Sequence, residues 1–552
     1  MGQADQPSPA EGALATVRGR ILDEASGQPL AARVSIRAGG GQAVGTLYPR
    51  WPGFWADGSF EAKVPPGPVV VAAQCGPEYW HFSRPLELAP GEQADVEIAL
   101  RCWVDMPARG WYAGDNHLHP IHGEREYEAD LARVALAARA EGLRYASAAQ
   151  SWGRRYTLRE LEAECRRLSG EQFTLWWNLE YPKTSLGHAW FLLAQSFEGM
   201  TGEPADYEGH ARVRAGGGLV CIAHPLRWWM SEGKFVTNMA SELPFDLAAG
   251  PTFDAIEVMY DAADDVQAQQ LWFMLLDMGY RLPGLASSDT CLDRPAGPIP
   301  GRRRVYTRVE GGFSLKAVAQ AMRRGRNFVT SGPLLLFDIG GHWPGAELPA
   351  DGRPVEAHIE AFCSGDPNER LTQVQLIRNG EVAQAWDATE RQATLRYTIR
   401  ESEDAWYVVK CKGKNPDQAA LANPIYFRTP GFKPPEAVRT RLHVSIKDQE
   451  SGQPMNAHVT ILDPLGAVLD ERQAPAGQCE LTVPPTSSIR VSAQGHQPVT
   501  KSIFRDTPLR TLVDEIASGS RQEKPLLEPF TYQRFRDLAS EQALAFVLGK
   551  GE

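Results

Sequence analysis

Six side chains able to bind a divalent cation stand where strands of the chain should begin or end. In WYAGDNHLHP (111–120), His117 and His119 are two residues apart. On a strand, residues i and i+2 leave the same face, so both imidazoles point one way. Glu180 closes the apolar run FTLWWNLE, and His188 opens HAWFLL directly after Gly187. His224 follows LVCIA in the tripeptide AHP, and Asp289 ends GLASSD. Imidazole nitrogens combined with carboxylate oxygens suit zinc, manganese or iron. A His-x-His pair by itself would read equally well as two surface histidines; the weight comes from separate apolar runs that each carry a donor at one end. Asp115 and Glu257, the latter within DAIEVMY, are carboxylates placed to orient those donors from behind. Cys291 offers either a soft thiolate ligand or a buried inert thiol.

The elements that must position these groups follow from the pattern of the chain. Strands are expected at 112–118, 143–149, 173–181, 188–194, 219–223, 254–260 and 282–288, alternating with helices at about 126–141, 157–168, 204–215, 264–279 and 314–324. That alternation predicts an α/β region built on a parallel sheet, with its reactive groups at the carboxyl ends of the strands.

The chain has 552 residues, material for three to four domains at roughly 150 residues each, so a single module is excluded. Hydrophobic residues make up 43% and charged residues 23%, ordinary for a globular protein. A net charge of −11 argues against a nucleic-acid partner. No run approaches the roughly 20 apolar residues of a membrane span, and the first residues lack the pattern of a secretory signal. The expectation is a soluble chain acting on a small molecule, with compartment and homo-oligomer formation left open. Eight scattered cysteines without a Cys-x-x-Cys motif exclude a disulfide framework or a structural zinc site built on them.

An internal repeat partitions the rest. SGQPLAARVSI (26–36) matches SGQPMNAHVTI (451–461), and FEAKVPPGPVVVAAQ (60–74) parallels CELTVPPTSSIRVSAQ (479–494). Short alternating runs between Gly/Pro turns predict a small β-sandwich in each copy. Residues 336–432 return to strands, with Asn379-Gly380 as a hairpin turn. The expected domains are 14–103, a first sandwich; 104–335, the α/β region; 336–432, an immunoglobulin-like sandwich; 438–505, a second copy of the first; and 506–552, a helical tail.

The motifs DNHLH (115–119), NLE (178–180), GH (187–188), AHP (223–225) and SD (288–289) resemble those of the PHP (polymerase and histidinol phosphatase) superfamily. RRGRNFVTSGP (323–333), followed by a sandwich with LIRNGE and NPIYF, is similar to its carbaryl-hydrolase-like (CehA/McbA) branch. The repeat copies resemble transthyretin-like, carboxypeptidase-regulatory-like domains. The resemblance, over about 104–430, implies a distorted (β/α)7 barrel flanked by all-β sandwiches, and hydrolysis by a metal-activated water. It implies one metal held by His117, His119, Glu180 and Asp289, and a second by Glu180, His188 and His224, with Glu180 bridging. The third site of the wider family is depleted: Ala149-Gln150 replaces an Asp-His pair, Cys291 replaces a histidine, and only His122 remains. One or two ions per chain are therefore expected, zinc or manganese first and iron third.

Glu180 and Asp289 are the candidate catalytic carboxylates, with Asp115 behind them. Trp152, Lys183 and Arg227 are the candidate substrate contacts. Esters, amides or carbamates are expected ahead of phosphoesters. An amidohydrolase-type enzyme would need a bridging lysine, for which Lys183 is the nearby candidate. A non-catalytic carbohydrate- or surface-binding protein with a decayed barrel is the alternative outside enzymes.

Overall fold

The computed structural model describes residues 13–41, 43–44, 53–120, 130–149, 157–184, 187–195, 206–231, 234–237, 239–261, 264–293, 298–518 and 525–551. Its α/β region contains strands β1 (Trp111–His119), β2 (Tyr145–Ala149), β3 (Thr174–Thr184), β4 (Gly187–Leu192), β5 (Leu219–Ala223), β6 (Ala255–Met259), β7 (Gly284–Ala286), β8 (Thr290–Cys291), β9 (Arg304–Arg308) and β10 (Asn327–Thr330). Helices α1 (Leu131–Ala140), α2 (Leu158–Leu168), α3 (Asp206–Ala215), α4 (Leu243–Ala248), α5 (Asp265–Asp277) and α6 (Leu315–Arg323) lie between them. The sheet order is β7-β6-β5-β4-β3-β2-β1-β9-β10. β8, a few residues beyond β7, pairs in parallel with β1 through Thr290 opposite Leu118 and Cys291 opposite His119.

Among the seven strands expected, one departs from the parallel expectation, and beyond them β9 runs antiparallel to β1 and β10 antiparallel to β9. β4 runs antiparallel to both β3 and β5. Only residues 185 and 186 separate β3 from β4, whereas a parallel crossover needs a dozen or more, so the chain must reverse. Gly187 has φ of 121°, which a side chain would strain, and a Cβ there would lie 2.8 Å from the Ala240 backbone. The reversal puts His188 at the amino end of β4, beside the carboxyl ends of β3 and β5.

The sheet does not stop at residue 335. β10 pairs antiparallel with Ala419–Ala422, which pairs with Ala405–Gly413, so the sheet continues into the following sandwich. The Asn379-Gly380 turn has positive φ at both residues, as a two-residue hairpin requires. No helix among the described residues is long and apolar enough to cross a membrane.

In the first repeat copy Ala15–Asp23 pairs antiparallel with Ser59–Val64 and parallel with Gln93–Leu100. In the second, Thr440–Asp448 pairs antiparallel with Gln478–Val483 and parallel with Glu541–Leu548. The segment expected as a helical tail is therefore only partly helical. It forms helices Pro508–Ser518 and Pro529–Ser540 and then supplies the last strand of the second sandwich. Gln542, Leu544, Phe546 and Leu548 are buried at every second position, a strand's period, and face the core of that sandwich.

Candidate metal centre

The carboxyl ends of β1 and β3, the amino end of β4 and the residues following β5 and β7 converge on one buried point. His117 and His119 project from β1 with their Nε2 atoms 3.0 Å apart, both fully buried. From β3, Glu180 Oε1 lies 3.4 Å from His117 Nε2, and Oε2 lies 3.6 Å from His119 Nε2. The same Oε1 is 2.7 Å from His188 Nδ1 and 3.2 Å from His224 Nε2. Two groups with metal-ligand spacing result, His117/His119/Glu180 and Glu180/His188/His224, each with its donor atoms within 4.8 Å of one another. Glu180 belongs to both. Asp289 lies against the first group, its Oδ1 3.2 Å from His119 Nε2 and 3.6 Å from His117 Nε2.

Backbone strain marks the same place. Five described non-glycine residues have positive φ, and two of them are His224 at 26° and Asp289 at 46°. Such conformations cost on the order of 1–3 kcal/mol and persist where surrounding structure enforces them. Both residues directly follow or closely follow a strand end, so the backbone turns sharply to aim the donor inward.

The electrostatics suit a cation. Burial works against a charge on His117, but Asp289 and Glu180 outweigh it and hold this imidazole well above its ordinary range. Burial likewise opposes ionisation of Asp289, yet Arg227 and His117 hold its carboxyl well below the usual carboxylate range. Burial keeps His119 below its ordinary value despite Asp289 and Glu180. A pocket that draws a proton onto His117 is one that favours a positive ion among these donors, and nitrogen plus carboxylate donors fit zinc, manganese or iron.

The residues behind the donors redistribute the expected roles. Glu257 on β6 accepts from the His224 backbone N–H at 2.7 Å and from Trp190 Nε1 at 2.7 Å, and Ser287 Oγ donates to it as well. Its Oε1 lies 3.8 Å from His117 Nδ1, so Glu257 faces the Nδ1 side of the ring whose Nε2 faces Glu180. At that distance no hydrogen bond forms, and Glu257 acts on the ring through its charge. Burial opposes ionisation of Glu257, but His117, His224 and Ser287 bring it below its ordinary value.

Asp115, expected to steer an imidazole or take part in catalysis, makes its hydrogen bonds to Ser288 and to backbone N–H groups. Its oxygens accept from Ser288 Oγ at 2.5 Å and from the backbone N–H groups of Gly301, Ser288 and His117 at 2.7, 3.2 and 3.3 Å. It ties β1 to the chain around Asp289. Burial pushes its carboxyl up to about 6, with those bonds pulling the other way. Arg227, expected as a substrate contact, places Nη1 2.5 Å from Asp289 Oδ2 with its side chain one-third exposed. Cys291 is buried on β8, its Sγ 3.9 Å from the Asp289 carbonyl, and stands outside both donor groups. His122, Gln150 and Trp152 lie outside the described residues, as does the side chain of Lys183. Trp177 and Trp190 are fully buried core residues.

Sequence reasoning missed Asn178 as well as Trp190 and Ser287. Asn178 donates to the Asn116 carbonyl at 2.5 Å and accepts from Leu179 and Phe191 N–H at 2.6 and 2.7 Å, tying β3 to its neighbour β4 and to β1, the strand beyond β2, just ahead of Glu180. A polar residue inside the apolar run FTLWWNLE was the available signal.

No family model and no curated protein matches the chain. Among solved structures, a two-domain protein from Bacteroides vulgatus containing a predicted PHP-like metal-dependent phosphoesterase aligns with 57% of this chain and 95% of its own, at 14% identity and a TM-score of 0.32. PsfC from Pseudomonas syringae aligns with 38% of this chain and 87% of its own, at 16% identity and a TM-score of 0.25. The fibronectin(III)-like modules of CbhA from Clostridium thermocellum align with 30% of this chain and 91% of their own, at 12% identity and a TM-score of 0.13. These likenesses are too distant to assign the site, whose chemistry rests on its own geometry.

Proposed function

We propose that the protein is a metal-dependent hydrolase whose centre holds one or two divalent ions, zinc or manganese ahead of iron, among His117, His119, Glu180, His188, His224 and Asp289. The observation that carries this reading is Glu180: one buried carboxylate lies within 2.7 to 3.6 Å of four imidazoles and is common to both donor groups. A divalent ion bound by such a set supplies a Lewis acid for a substrate oxygen and acidifies water near neutral pH. The chain's own residues do the positioning. Glu257 places a negative charge beside His117 and fixes the His224 backbone, Asp115 holds β1 against the Asp289 segment, and Arg227 steadies Asp289 at the exposed side of the site.

The motif order supports extending the reading to the PHP superfamily and its carbaryl-hydrolase-like branch. A distorted (β/α)7 barrel is supported by the pairing of seven consecutive strands, β1 to β7, with β8 returning to β1. The substrate class proposed is an ester, amide or carbamate. Arg227 keeps a phosphoester as the second reading, because a partly exposed guanidinium beside the donors can meet a phosphoryl oxygen. Glu180 occupies the shared position that an amidohydrolase would fill with lysine, and two intact donor groups count against a decayed binding module.

The test is metal analysis of purified protein combined with hydrolysis of p-nitrophenyl acetate, carbamate and phosphate esters, with zinc and with manganese. At least one bound ion per chain is expected, with hydrolysis reduced on the order of 100-fold or more in His117→Ala. Less than one ion and no metal-restored hydrolysis would overturn the enzyme reading, and full activity in His117→Ala would overturn the site.

A further inference from the structure

We propose that the amino-terminal end of the same sheet carries a second site, which binds a small phosphorylated anion and is independent of the metal centre. A cavity of about 510 Å³ opens there between Pro283 before β7, the turn after α6, and two loops of the following sandwich. That volume lies in the range of small-molecule pockets and well above what a lone phosphate fills. Asp289 of the metal centre lies beyond the other end of β7, so the two sites sit at opposite ends of one strand.

The chemistry of the lining is cationic and aromatic. Arg281 lines it together with Arg324 and Arg326 from the turn after α6, with Trp343 and Tyr426 beside them, while Arg323 pairs with Asp254 at 3.3 Å. Arg308 stands next to the cavity with its guanidinium 4.6 Å from the Trp343 ring centre. Arg281 lies 5.0 Å and Arg428 4.9 Å from the ring centre of Tyr426.

The acids present do not balance these five guanidiniums. Glu310 is shared, 2.6 Å from Arg308 and 3.2 Å from Arg326, and Glu347 pairs with Arg281 at 3.1 Å. Arg324 is exposed and has no carboxylate partner among the described residues. Arg428 keeps Nε and Nη2 buried without a hydrogen-bond partner among the described residues. A chain with net charge −11 thus concentrates unbalanced positive charge in one concave site. Planar guanidiniums with parallel N–H groups match the oxygens of a carboxylate or a phosphoryl group, and a surplus of cations over acids favours the more highly charged phosphate. Indole and phenol rings beside them suit a ring attached to the phosphate, so a nucleoside phosphate fits the lining better than a free oxyanion.

The test is calorimetric titration of the full chain with inorganic pyrophosphate and with ADP, at low and at 0.5 M salt, before and after chelation of bound metal. One ligand per chain is expected, bound in chelated protein and in His117→Ala as well as in wild type, and weakened by salt. Arg324→Ala combined with Arg326→Ala should weaken binding at least about tenfold, while Arg324→Lys, which keeps the charge but not the planar fork, should recover only part of the loss seen in Arg324→Ala. Arg324 is exposed, so the single Arg324→Ala variant, checked by an unchanged melting temperature, serves if the double variant is unstable. ADP binding tighter than pyrophosphate identifies a ring-bearing ligand, and equal binding identifies the oxyanion alone; either supports the site. Binding that disappears on chelation, or that is unaffected by the arginine substitutions, would overturn it, as would no binding of either probe at millimolar concentration. Because the readout survives loss of the metal centre, its failure is distinct from failure of the hydrolase reading.

Discussion

The two repeat copies share a register and differ in how they are attached. Asp23 opposes Leu100 and Ile21 opposes Ile98 in the first copy; Asp448 opposes Leu548 and Ile446 opposes Phe546 in the second. The repeated motif is a turn. Asp23 accepts from Ser26 N–H and Oγ, and Asp448 accepts from Ser451 N–H and Oγ at matching distances. Gly27 and Gly452 follow with φ of 67° and 65°. In the first copy four residues join Leu88 to Gln93, while in the second the chain from Ser502 to Glu541 carries two helices. The copies also bind the α/β region by different chemistry. The first uses polar contacts to the end of α1, where Glu141 meets Arg33 at 2.7 Å and Trp55 Nε1 at 3.1 Å. The second adds apolar rings, Phe504 against Phe245 at 4.4 Å and Tyr207 at 5.7 Å, to a Tyr207–Ser502 hydroxyl bond at 3.2 Å and an Arg505–Glu208 ion pair. One sandwich scaffold therefore tolerates a long insertion between two strands as long as the last strand returns in register.

The largest break should come from that returning strand. Phe546→Asp puts a charge into a fully buried position and is expected to cost more than about 5 kcal/mol, unfolding the second sandwich. Phe530→Asp in the inserted helices, 73% exposed, should leave the melting temperature within about a degree or two. Equal effects of the two would show that Glu541–Leu548 does not complete the sandwich. Next in size is Phe504→Ala, which empties a fully buried interface position and should lower stability by about 3–5 kcal/mol in chemical denaturation. Glu141→Gln should do less, about 1–3 kcal/mol, because it keeps an oxygen for Trp55 and leaves Arg33 only partly buried. If Glu141→Gln proved the more damaging, the contrast between apolar and polar docking would be wrong.

The final strand shows why part of this fold was hidden in the sequence. EQALAFVL is rich in helix-forming residues, and local propensity favours continuing the helix before it; the alternation of Gln542, Leu544, Phe546 and Leu548 becomes decisive only beside Thr440–Asp448, about a hundred residues away. Seven strands of the α/β region were readable because each is an apolar run with a donor or turn at its end, whereas β8, β9 and β10 were not expected. The reversal of β4 was not read, although the six residues between the expected strands 173–181 and 188–194 are too few for a parallel crossover. At the candidate site the six candidate donors were named from residue type and placement, and the fold brings their side chains together. The roles of Asp115 and Glu257 were not, because which carboxylate reaches an imidazole depends on strand neighbours: Glu257 lies on β6, beside β5 and His224, while Asp115 faces the backbone of the Ser288 and Gly301 segment. Nor does sequence show that Arg227 pairs with Asp289.

The smallest expected difference between the copies is one of pH. Each turn aspartate has a third partner, the Tyr79 hydroxyl at 3.0 Å for Asp23 and His496 Nε2 at 2.9 Å for Asp448. Tyr79 stays protonated across the neutral range, since burial and Asp23 push its hydroxyl upward. His496 titrates there. The bond to Asp448 raises it above its ordinary 6.5, so the protonated form is favoured by folding. That contribution is full below about pH 6.5 and fades as pH rises through the higher folded value. Asp448 is lowered by Ser451 and then by His496, so its own contribution is present above its ordinary value of 3.8 and is lost as pH falls through the folded value. The second copy alone should therefore soften between neutral and mildly alkaline pH. Histidine ring resonances of the full chain, assigned with His496→Gln, should place His496 above 6.5 in the wild type and return it toward 6.5 in Asp448→Asn. Asp23→Asn should move no histidine titration. A His496 that titrates at or below 6.5 in the wild type would remove the one electrostatic distinction between the two turns.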